Sequence, residues 1–489
     1  MNAECRMQNE EKKSSLSCCI LPSAFCLFAI FLLAAGLRIP GLFTDFWGDE
    51  IWSWWIAGHI HSMGDVLFSQ TAHIDNNHPL NTLALYLMGQ YQPVWVYRLP
   101  ALLAGIGAVV VAARIMLRRG LTESVIAALL LAFSYPLIFY SSEARGYSLS
   151  VFLSLLSFDL LETALSTTSP KSYIAEILFG ICGVLGFLAH LTFLNAYAAA
   201  IAWSIVRVRQ LEPTTGLRLL RLGRLHAIPV LGVLLIFFKF ARNMVDGGAP
   251  PSSPATIILQ TLSLTLGGPE TGYVALLMAA AVVLLFLAGL IFLARQRSTT
   301  WVFFFVAVVI APTLICLRAL VFTPRPQPLM LRYFLIPIAM FLLSISPWLA
   351  HLWRNVRACR PALAIALGIY VIGNLWNLDS FLAIGRGQYA EALSWIANQT
   401  PGPTLTLSSD NPIRTELLVE FYGPRVVPGR PVIVTEEPQS WLILNRAERT
   451  GIPAMKYQNY LYTLERVYPS TGLSGWTWQV YRRDKAFGH

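Results

Sequence analysis

The chain has 489 residues, of which 55% are hydrophobic and 13% are charged, and its formal net charge is +10. Soluble globular proteins carry about 25% charged residues, so this composition excludes a soluble globular protein and predicts a polytopic membrane protein. The basic residues form short clusters between apolar runs, as the positive-inside rule describes. This placement argues against nucleic acid as a partner.

The chain begins with a polar segment, residues 1–17, which is predicted to be a cytoplasmic tail. The apolar run 18–38 follows it, is longer than a signal-peptide core and lacks a clear small-residue cleavage site. It is therefore predicted to be an uncleaved anchor. None of the seven cysteines lies in the first loop or in the polar C-terminal region, which argues against a disulfide framework or a cysteine-based zinc site.

Apolar runs recur through residues 18–378, which are predicted to form a transmembrane domain of about eleven crossings. Basic clusters follow alternate runs, so the loops 41–94 and 242–272, the turn 141–147 and the C-terminal region are predicted to be external. The segment 79–92 would break this alternation if it spanned the membrane, so it is predicted to be a helix at the outer face. The apolar runs are 18–38, 95–117, 121–141, 145–165, 173–189, 191–206, 225–241, 273–294, 300–321, 332–353 and 361–378.

The first external loop, residues 41–94, is predicted to be the catalytic loop and to contain interfacial helices. Its segment 41–79 carries five acidic residues, four tryptophans and four of the chain's eight histidines, but no lysine or arginine. Carboxylates at a membrane surface are costly to desolvate, and without a basic partner nearby in the sequence they usually face a cation, a proton or a substrate.

The pair Asp49-Glu50 is the leading candidate for chemistry in this loop. Apolar residues follow it at i, i+3, i+4, i+7 spacing from Ile51 to Gly58, which predicts an amphipathic interfacial helix. A carboxylate held at headgroup depth can act as a general base on an acceptor hydroxyl or amine, or can hold a divalent cation. An ordinary polar loop with solvated acids is the alternative interpretation.

A second candidate group consists of Asp75 and the four histidines of the loop. The spacing of these residues matches no standard ligand motif, so substrate orientation or helix capping is favoured over a transition-metal site. The stretch Asp75-Asn76-Asn77 is also typical of a turn. The four histidines are His59, His61, His73 and His78.

Three arginines, Arg98, Arg145 and Arg332, stand close to apolar runs at the predicted outer level. Arginine there runs against the positive-inside tendency, and guanidinium groups bind phosphate bidentately, so an anionic ligand at the outer leaflet is predicted. Snorkelling or pairing, for example of Arg145 with Glu143 or with a carboxylate of the first loop, is the alternative. His190 is interpreted as a satisfied core histidine.

Two further segments lie on the predicted external side. The loop 242–272 begins with glycines and prolines and continues into a mildly apolar stretch, which predicts a flexible entrance and an interfacial helix. Residues 379–489 are predicted to form a small external α/β or α+β domain with a helix at 386–400. Its predicted strands are the stretches PTLTLSS, PVIVTEE, WLILNR and WTWQVYRR.

Taken in order, these motifs resemble the GT-C membrane glycosyltransferases, and within them the bacterial branch related to protein O-mannosyltransferases and aminoarabinose transferases. The likeness covers about the first 200 residues well and weakens afterwards. The family usually has His-Pro-Pro where this chain has His-Pro-Leu. The matching motifs are Asp49-Glu50, His78-Pro79-Leu80, YRLPALLAG from Arg98, YSSEARGYSL around Arg145, and RYFLIP from Arg332.

The resemblance implies a mainly α polytopic fold, and transfer with inversion of a sugar from polyprenyl phosphate on the outer face of the bacterial cytoplasmic membrane. It implies Asp49 as general base with Glu50 assisting. A protein, lipid or glycan would be the acceptor. Metal dependence stays open, with Asp49 and His78 as ligands if a divalent ion binds. The donor phosphate would be bound by Arg98, Arg145 and Arg332, and the substrate positioned by Asp45, Asp75, His78 and Tyr147.

Other function classes stay open at this point. A transporter or flippase of a lipid-linked anionic sugar would suit the outer arginines, but the sequence has no evident inverted repeat. A glycan polymerase or ligase would be expected to carry its catalytic loop later, where 242–272 holds only Asp246 and Glu270 as acids. A non-catalytic sensor with a sugar-binding external domain is a third alternative.

Overall fold

The computed structural model describes residues 25–166, 170–244, 253–321 and 329–484, so the predicted tail 1–17 lies outside the described residues. The chain forms two compact units, named here the helical unit and the sheet unit. The helical unit comprises Met1–Ile39, Leu67–Asn81 and Leu99–Asn377, and the sheet unit comprises Pro40–Val66, Thr82–Arg98 and Leu378–His489.

Helices dominate the chain. In the part that the structure describes, ten helices are long and apolar enough to cross a membrane, which makes the chain a multi-pass membrane protein. In chain order the helices are α1 (25–38), α2 (Gly48–Gly58), α3 (Asp65–Phe68), α4 (Pro79–Met88), α5 (Val94–Tyr97), α6 (Leu99–Leu117), α7 (Leu121–Phe133), α8 (Tyr135–Tyr140), α9 (Tyr147–Ser166), α10 (Pro170–Ala189), α11 (Leu194–Leu211), α12 (Thr215–Lys239), α13 (Pro254–Thr265), α14 (Tyr273–Arg295), α15 (Thr300–Phe305), α16 (Ala311–Val321), α17 (Leu335–Asn355), α18 (Arg360–Ile384), α19 (Tyr389–Gln399) and α20 (Pro412–Val426).

Of the eleven predicted runs, 121–141 is the one without a counterpart among these ten helices, because the structure divides it into α7 and α8. Pro136 stands in the first turn of α8. Proline lacks the N–H that a continuing helix would use, and it disfavours helical geometry in the residue before it. The run 300–321 is also not uniform, because a π-helical turn, Val306–Ile310, separates α15 from α16.

Ion pairs join the helix ends that carry the predicted cytoplasmic basic clusters. Arg118, just after α6, donates to Asp159 near the end of α9 at 2.5 Å. Arg224 of α12 bonds bidentately to Glu176 of α10, with its Nη2 atom 2.7 Å from Oε2. Arg354 at the end of α17 pairs with Glu123 at the start of α7. Each of these basic clusters therefore pairs with an acid of a neighbouring helix within the helical unit.

The sheet unit contains one mixed six-stranded sheet of order β2-β1-β3-β6-β5-β4. β1 is parallel to β2 and β3, and the remaining neighbours are antiparallel. Helix α20 connects the parallel strands β1 and β2. The strands are β1 (Leu405–Ser409), β2 (Val432–Thr435), β3 (Trp441–Arg446), β4 (Ala454–Tyr457), β5 (Tyr460–Tyr468) and β6 (Thr477–Arg483).

The predicted helix 386–400 and the four predicted strands correspond to α19, β1, β2, β3 and β6. The prediction missed β4, β5 and α20. A core of two leucines and two tyrosines explains why the sheet extends to β5, since buried apolar side chains on β3, β5 and β6 pack together there. These core residues are Leu442, Leu444, Tyr462 and Tyr481.

The start of the first loop, residues 40–66, belongs to the sheet unit because it packs against the C-terminal segment. The hydroxyl of Tyr422 in α20 bonds to both backbone groups of Phe46, accepting from its N–H at 2.6 Å and donating to its carbonyl at 2.9 Å. The ring of Phe46 also stacks on that of Phe421, with ring centroids 5.3 Å apart. The sheet unit thus holds the segment that carries the acidic pair.

Candidate functional site

Helix α2 places the two neighbouring acids in different environments. Both lie in its first turn, where negative charge complements the helix dipole. Glu50 is completely buried, whereas Asp49 is only partly buried. Successive residues on a helix point in directions about 100° apart, so one acid can face the interior of the sheet unit while the other faces its surface.

Glu50 forms a bidentate ion pair with Arg98, and both side chains are completely buried. The Nε atom of Arg98 donates to Oε1 at 2.8 Å and its Nη2 atom donates to Oε2 at 2.6 Å. Parallel N–H···O bonds of this kind are the strongest arrangement for guanidinium and carboxylate. The negative charge of Glu50 is therefore matched inside the protein.

The remaining donors of Arg98 bind backbone carbonyls of the first loop. Its Nη1 atom donates to the carbonyls of Leu42 at 2.8 Å and Thr44 at 2.6 Å, and Nη2 donates to that of Asp45 at 2.9 Å. A guanidinium has five N–H donors, and these contacts occupy the group from every side. The environment of Arg98 favours a role in holding the loop.

Asp45 and Arg386 complete this polar interior of the sheet unit. The Oδ2 atom of Asp45 accepts from the N–H of Ala390 in the first turn of α19, at 3.0 Å. Burial raises the pKa of Asp45, and the bonds to that helix terminus oppose the effect. Arg386, which is completely buried, donates to Oγ1 of Thr44 at 2.8 Å. The sequence prediction missed Arg386, which no local motif distinguishes.

Asp49 has basic and aromatic neighbours in the sheet unit. Burial lowers the pKa of Arg414 in α20, and the charges of nearby groups, Asp49 among them, act in the opposite direction. The guanidinium of Arg414 lies 4.0 Å from the ring centroid of Trp476, within the range of a cation–π contact. Neither Arg414 nor Trp476 was predicted from the sequence, because both are distant from Asp49 in the chain.

In the helical unit, His78 and Arg145 form a direct hydrogen bond. The Nε atom of Arg145 donates to Nε2 of His78 at 2.9 Å, so this ring nitrogen carries no proton. Burial, and then the charge of Arg145, hold the pKa of His78 well below its ordinary value. The Nδ1 atom of His78 lies between two backbone groups, 3.2 Å from the nitrogen of Gly146 and 3.3 Å from the carbonyl oxygen of Ala189. His78 is thus a positioning residue for Arg145.

Close backbone packing supports this geometry. A Cβ atom on Gly146 would lie 1.9 Å from the carbonyl oxygen of Ala189 and 2.9 Å from Nδ1 of His78. Only glycine allows the turn before α9 to approach the end of α10 this closely. The side-chain amide of Asn81 also donates to the carbonyl of Ala144 at 2.8 Å. The turn that carries Arg145 is therefore held from both sides.

Arg145 and Arg332 converge on one aromatic ring. Their guanidinium carbons lie 5.8 and 5.9 Å from the ring centroid of Tyr147. His78 contacts the same ring edge-on at 4.7 Å, and His190 lies 5.0 Å from it. We name these five residues the Tyr147 cluster. Two guanidinium groups around a common ring, in a largely buried setting, form a chemically suitable site for an anion.

The other predicted site residues have local roles in the structure. Asp75 adopts a positive φ of 47°, as expected for the predicted turn. The Oδ1 atom of Asn76 accepts from the N–H of His78 at 3.2 Å, which closes the turn onto the start of α4. Asp75 therefore belongs to the segment that presents His78 to Arg145.

The described residues contain no ready-made cluster of three metal ligands. Among residues 25–166, 170–244, 253–321 and 329–484, no three His, Cys, Asp or Glu side chains are grouped as metal ligands. The histidines of the first loop bond elsewhere: Nδ1 of His59 lies 2.8 Å from the carbonyl of Trp55, and Nε2 of His73 lies 3.0 Å from that of Leu67.

Comparisons with known proteins are informative for the fold alone. No known protein-family pattern and no curated protein matches the sequence. Among solved structures, ArnT from Cupriavidus metallidurans bound to undecaprenyl phosphate aligns over 95% of this chain and 99% of its own, with a TM-score of 0.53 and 12% identity. Its apo structure aligns over 88% and 93%, with a TM-score of 0.51 and 12% identity.

The chain has the GT-C fold. Crystal structures of the Archaeoglobus fulgidus oligosaccharyltransferase, one tethered to an acceptor peptide and one with Zn and sulfate, also match. Their identities are 14% and 15% and their TM-scores 0.47 and 0.48 over 84% of this chain. The chain spans 64% and 62% of their length. The ten span-length helices and the C-terminal six-stranded sheet of the described residues confirm the predicted mainly α polytopic fold with a small C-terminal sheet domain.

Removing either member of the buried ion pair is expected to destabilise the protein. Arg98→Gln or Glu50→Gln should each lower the free energy of unfolding by about 3–5 kcal/mol, because the remaining charge is left buried without a partner. The double variant should lose less than the sum of the two. Thermal or denaturant unfolding of the purified protein measures these changes.

Glu162→Gln is the control for this prediction, because it removes a partner of Arg118 from a partly exposed ion pair, which is worth at most about 1 kcal/mol. Single variants that remain as stable as wild type but lose affinity for a lipid phosphate would contradict the structural role and favour the predicted phosphate role of Arg98.

The buried neutral His78 predicts acid lability. Its pKa is lowered on folding, so below the unfolded value of about 6.5 the unfolded state binds more protons. Stability should therefore fall as pH decreases from 7 to 5, by up to roughly 1.4 kcal/mol per pH unit for this group. His78→Gln keeps an acceptor for Arg145 and should reduce the slope.

Unfolding midpoints measured between pH 5 and 8 test this prediction, with His61→Gln as the control because His61 is exposed. An unchanged slope in His78→Gln, or a slope reduced equally in the control, would show that His78 titrates normally in the folded protein.

Proposed function

We propose that the protein is a membrane glycosyltransferase that moves a sugar from a polyprenyl-phosphate donor to an acceptor on the outer face of a bacterial cytoplasmic membrane. The observation that carries the proposal is the Tyr147 cluster, in which Arg145 and Arg332 approach one ring of a helical unit with the GT-C fold. ArnT, which has the same fold, was crystallised with undecaprenyl phosphate.

The reaction that this proposal describes is a displacement at the anomeric carbon of the sugar. The acceptor oxygen or nitrogen forms the new bond to that carbon, and the bond from the carbon to the phosphate oxygen breaks. The electron pair leaves with the polyprenyl phosphate, and the acceptor proton passes to a base. Attack opposite the leaving group inverts the anomeric configuration.

The leaving group gains negative charge as its bond to the sugar breaks. Arg145 and Arg332 would stabilise this charge, since preorganised cations in a site that excludes water act most strongly where charge develops. His78 would hold Arg145 in place through the 2.9 Å hydrogen bond. Tyr147 would fix the spacing of the two guanidinium groups.

Asp49 would be the general base. It is the more accessible member of the acidic pair, whereas the charge of Glu50 is matched by Arg98 at 2.6 Å. This contrast supports Asp49 rather than Glu50 as the residue that takes the acceptor proton. Glu50 and Arg98 would act indirectly by holding the segment from which α2 begins.

Asp49→Asn is expected to lower sugar transfer by about 100-fold or more, because it removes the base while keeping the shape of the side chain. Transfer from a radiolabelled polyprenyl-phosphate sugar pool in membranes, at matched expression, is the measurement. Binding of the donor should be retained, because Asp49 is not assigned to the phosphate.

Asp65→Asn is the matched control. Asp65 lies in the same acidic segment, where its carboxylate accepts from the N–H groups of His61 and Ser62 at 2.8 and 2.9 Å, and transfer should be close to wild type. Equal transfer by the Asp49 variant would contradict its role as base. Movement of labelled lipid across the bilayer without transfer by any variant would favour a flippase.

A further inference from the structure

His190 occupies a buried position in the Tyr147 cluster. It follows α10 and has 3% of its surface exposed. Its ring lies 4.6 Å from that of His78 and 5.0 Å from that of Tyr147. The charges of Arg145 and Arg332 both act on it, since burial and then these two arginines lower its pKa to about 3. The imidazole is therefore neutral.

The tautomer of this neutral ring follows from its hydrogen bonds. The backbone N–H of Thr192 donates to Nδ1 of His190 at 3.0 Å, as part of the turn that precedes α11. The Thr192 hydroxyl lies 2.7 Å from the same nitrogen and can also donate to it. A nitrogen that accepts a backbone N–H carries no proton, so the single proton of His190 is on Nε2. The turn thus fixes both the orientation of the ring and the position of its donor.

The Nε2–H donor of His190 has no hydrogen-bond partner among the residues that the structure describes. A buried donor without an acceptor is costly, and native structures usually supply one from protein, water or ligand. His190 was predicted to be a satisfied core histidine, but in the structure only its Nδ1 atom has a hydrogen-bond partner among the described residues. The open donor belongs to the same cluster as two guanidinium groups.

We propose that His190 is an anion-binding residue, and that its Nε2–H donates to an oxygen of the phosphate held by Arg145 and Arg332. This inference rests on the proposed function, because it assigns a further contact to the donor phosphate. A neutral donor suits this position, since a third cation would be repelled by the two arginines while an imidazole N–H adds a bond without adding charge.

The test is the affinity of the full-length protein in lipid nanodiscs for undecaprenyl phosphate. His190→Gln places an amide N–H near the position of Nε2, whereas His190→Asn places it near that of Nδ1, and His190→Phe retains the ring without a donor. The Phe and Asn variants should bind at least about ten-fold more weakly, and the Gln variant should stay within about three-fold of wild type.

His226→Gln is the control for replacing a buried histidine, because His226 bonds to Ser204 and Tyr197 outside the cluster. The affinity of this variant for undecaprenyl phosphate should equal that of wild type. Two further ligands separate recognition of the phosphate from recognition of the hydrocarbon chain of the lipid. Inorganic phosphate serves as a competitor, and the neutral polyprenol serves as a lipid without a phosphate. The His190→Phe and His190→Asn variants are expected to bind undecaprenyl phosphate more weakly and to bind the polyprenol as wild type does.

Unchanged affinity of both the Phe and the Asn variants would overturn the inference. If Phe fails to fold, which thermal unfolding reveals, the Asn and Gln pair decides the question. Loss of binding in Arg145→Gln and Arg332→Gln with no loss in the His190 variants would reject only the role of His190. If wild type itself binds no undecaprenyl phosphate, the proposed function fails together with the inference.

Discussion

A guanidinium group keeps its charge in proteins, so each buried arginine must be surrounded by groups that accept its hydrogen bonds or its charge. Arg38 and Arg98 show the structural solution to this constraint. Arg38 donates to the carbonyls of Leu131 and Ala132 at the end of α7, both at 3.1 Å. Arg98 binds Glu50 and the carbonyls of the first loop. Each therefore fixes a place where the backbone leaves a helix or enters a loop.

The Tyr147 cluster meets the same constraint differently. Arg145 donates to a neutral imidazole, and both Arg145 and Arg332 lie against the ring of Tyr147. The cluster thus gathers two positive charges around one aromatic ring, and this arrangement supports the assignment of the phosphate to Arg145 and Arg332.

Much of the fold could be predicted from the sequence because a membrane span needs about 20 apolar residues. The helices α6, α9, α14 and α17 occur where such runs were predicted, and α2 occurs where the spacing after Asp49 indicated it. Strands such as β3 were also predicted, because the pattern that indicates a strand lies within a few neighbouring residues. Helix α20 and strand β5 were missed because the packing that stabilises them comes from residues distant in the chain.

The candidate site was less predictable. Arg98 and Arg145 look alike in the sequence, since each stands beside an apolar run at the predicted outer level. The structure distinguishes them by their contacts. Arg98 binds Glu50, which lies 48 residues earlier in the chain, and Arg145 binds His78, which lies 67 residues earlier. His190 is a similar case, because only its three-dimensional surroundings show that one ring nitrogen is satisfied and the other is open.

The most direct test of this account is an experimental structure of the protein in a lipid nanodisc with undecaprenyl phosphate. The account predicts phosphate density in the Tyr147 cluster, within hydrogen-bond distance of Arg145 and Arg332, while the ion pair of Glu50 and Arg98 remains intact. Phosphate density on Arg98 with the ion pair broken, or lipid bound with its phosphate away from the Tyr147 cluster, would contradict it.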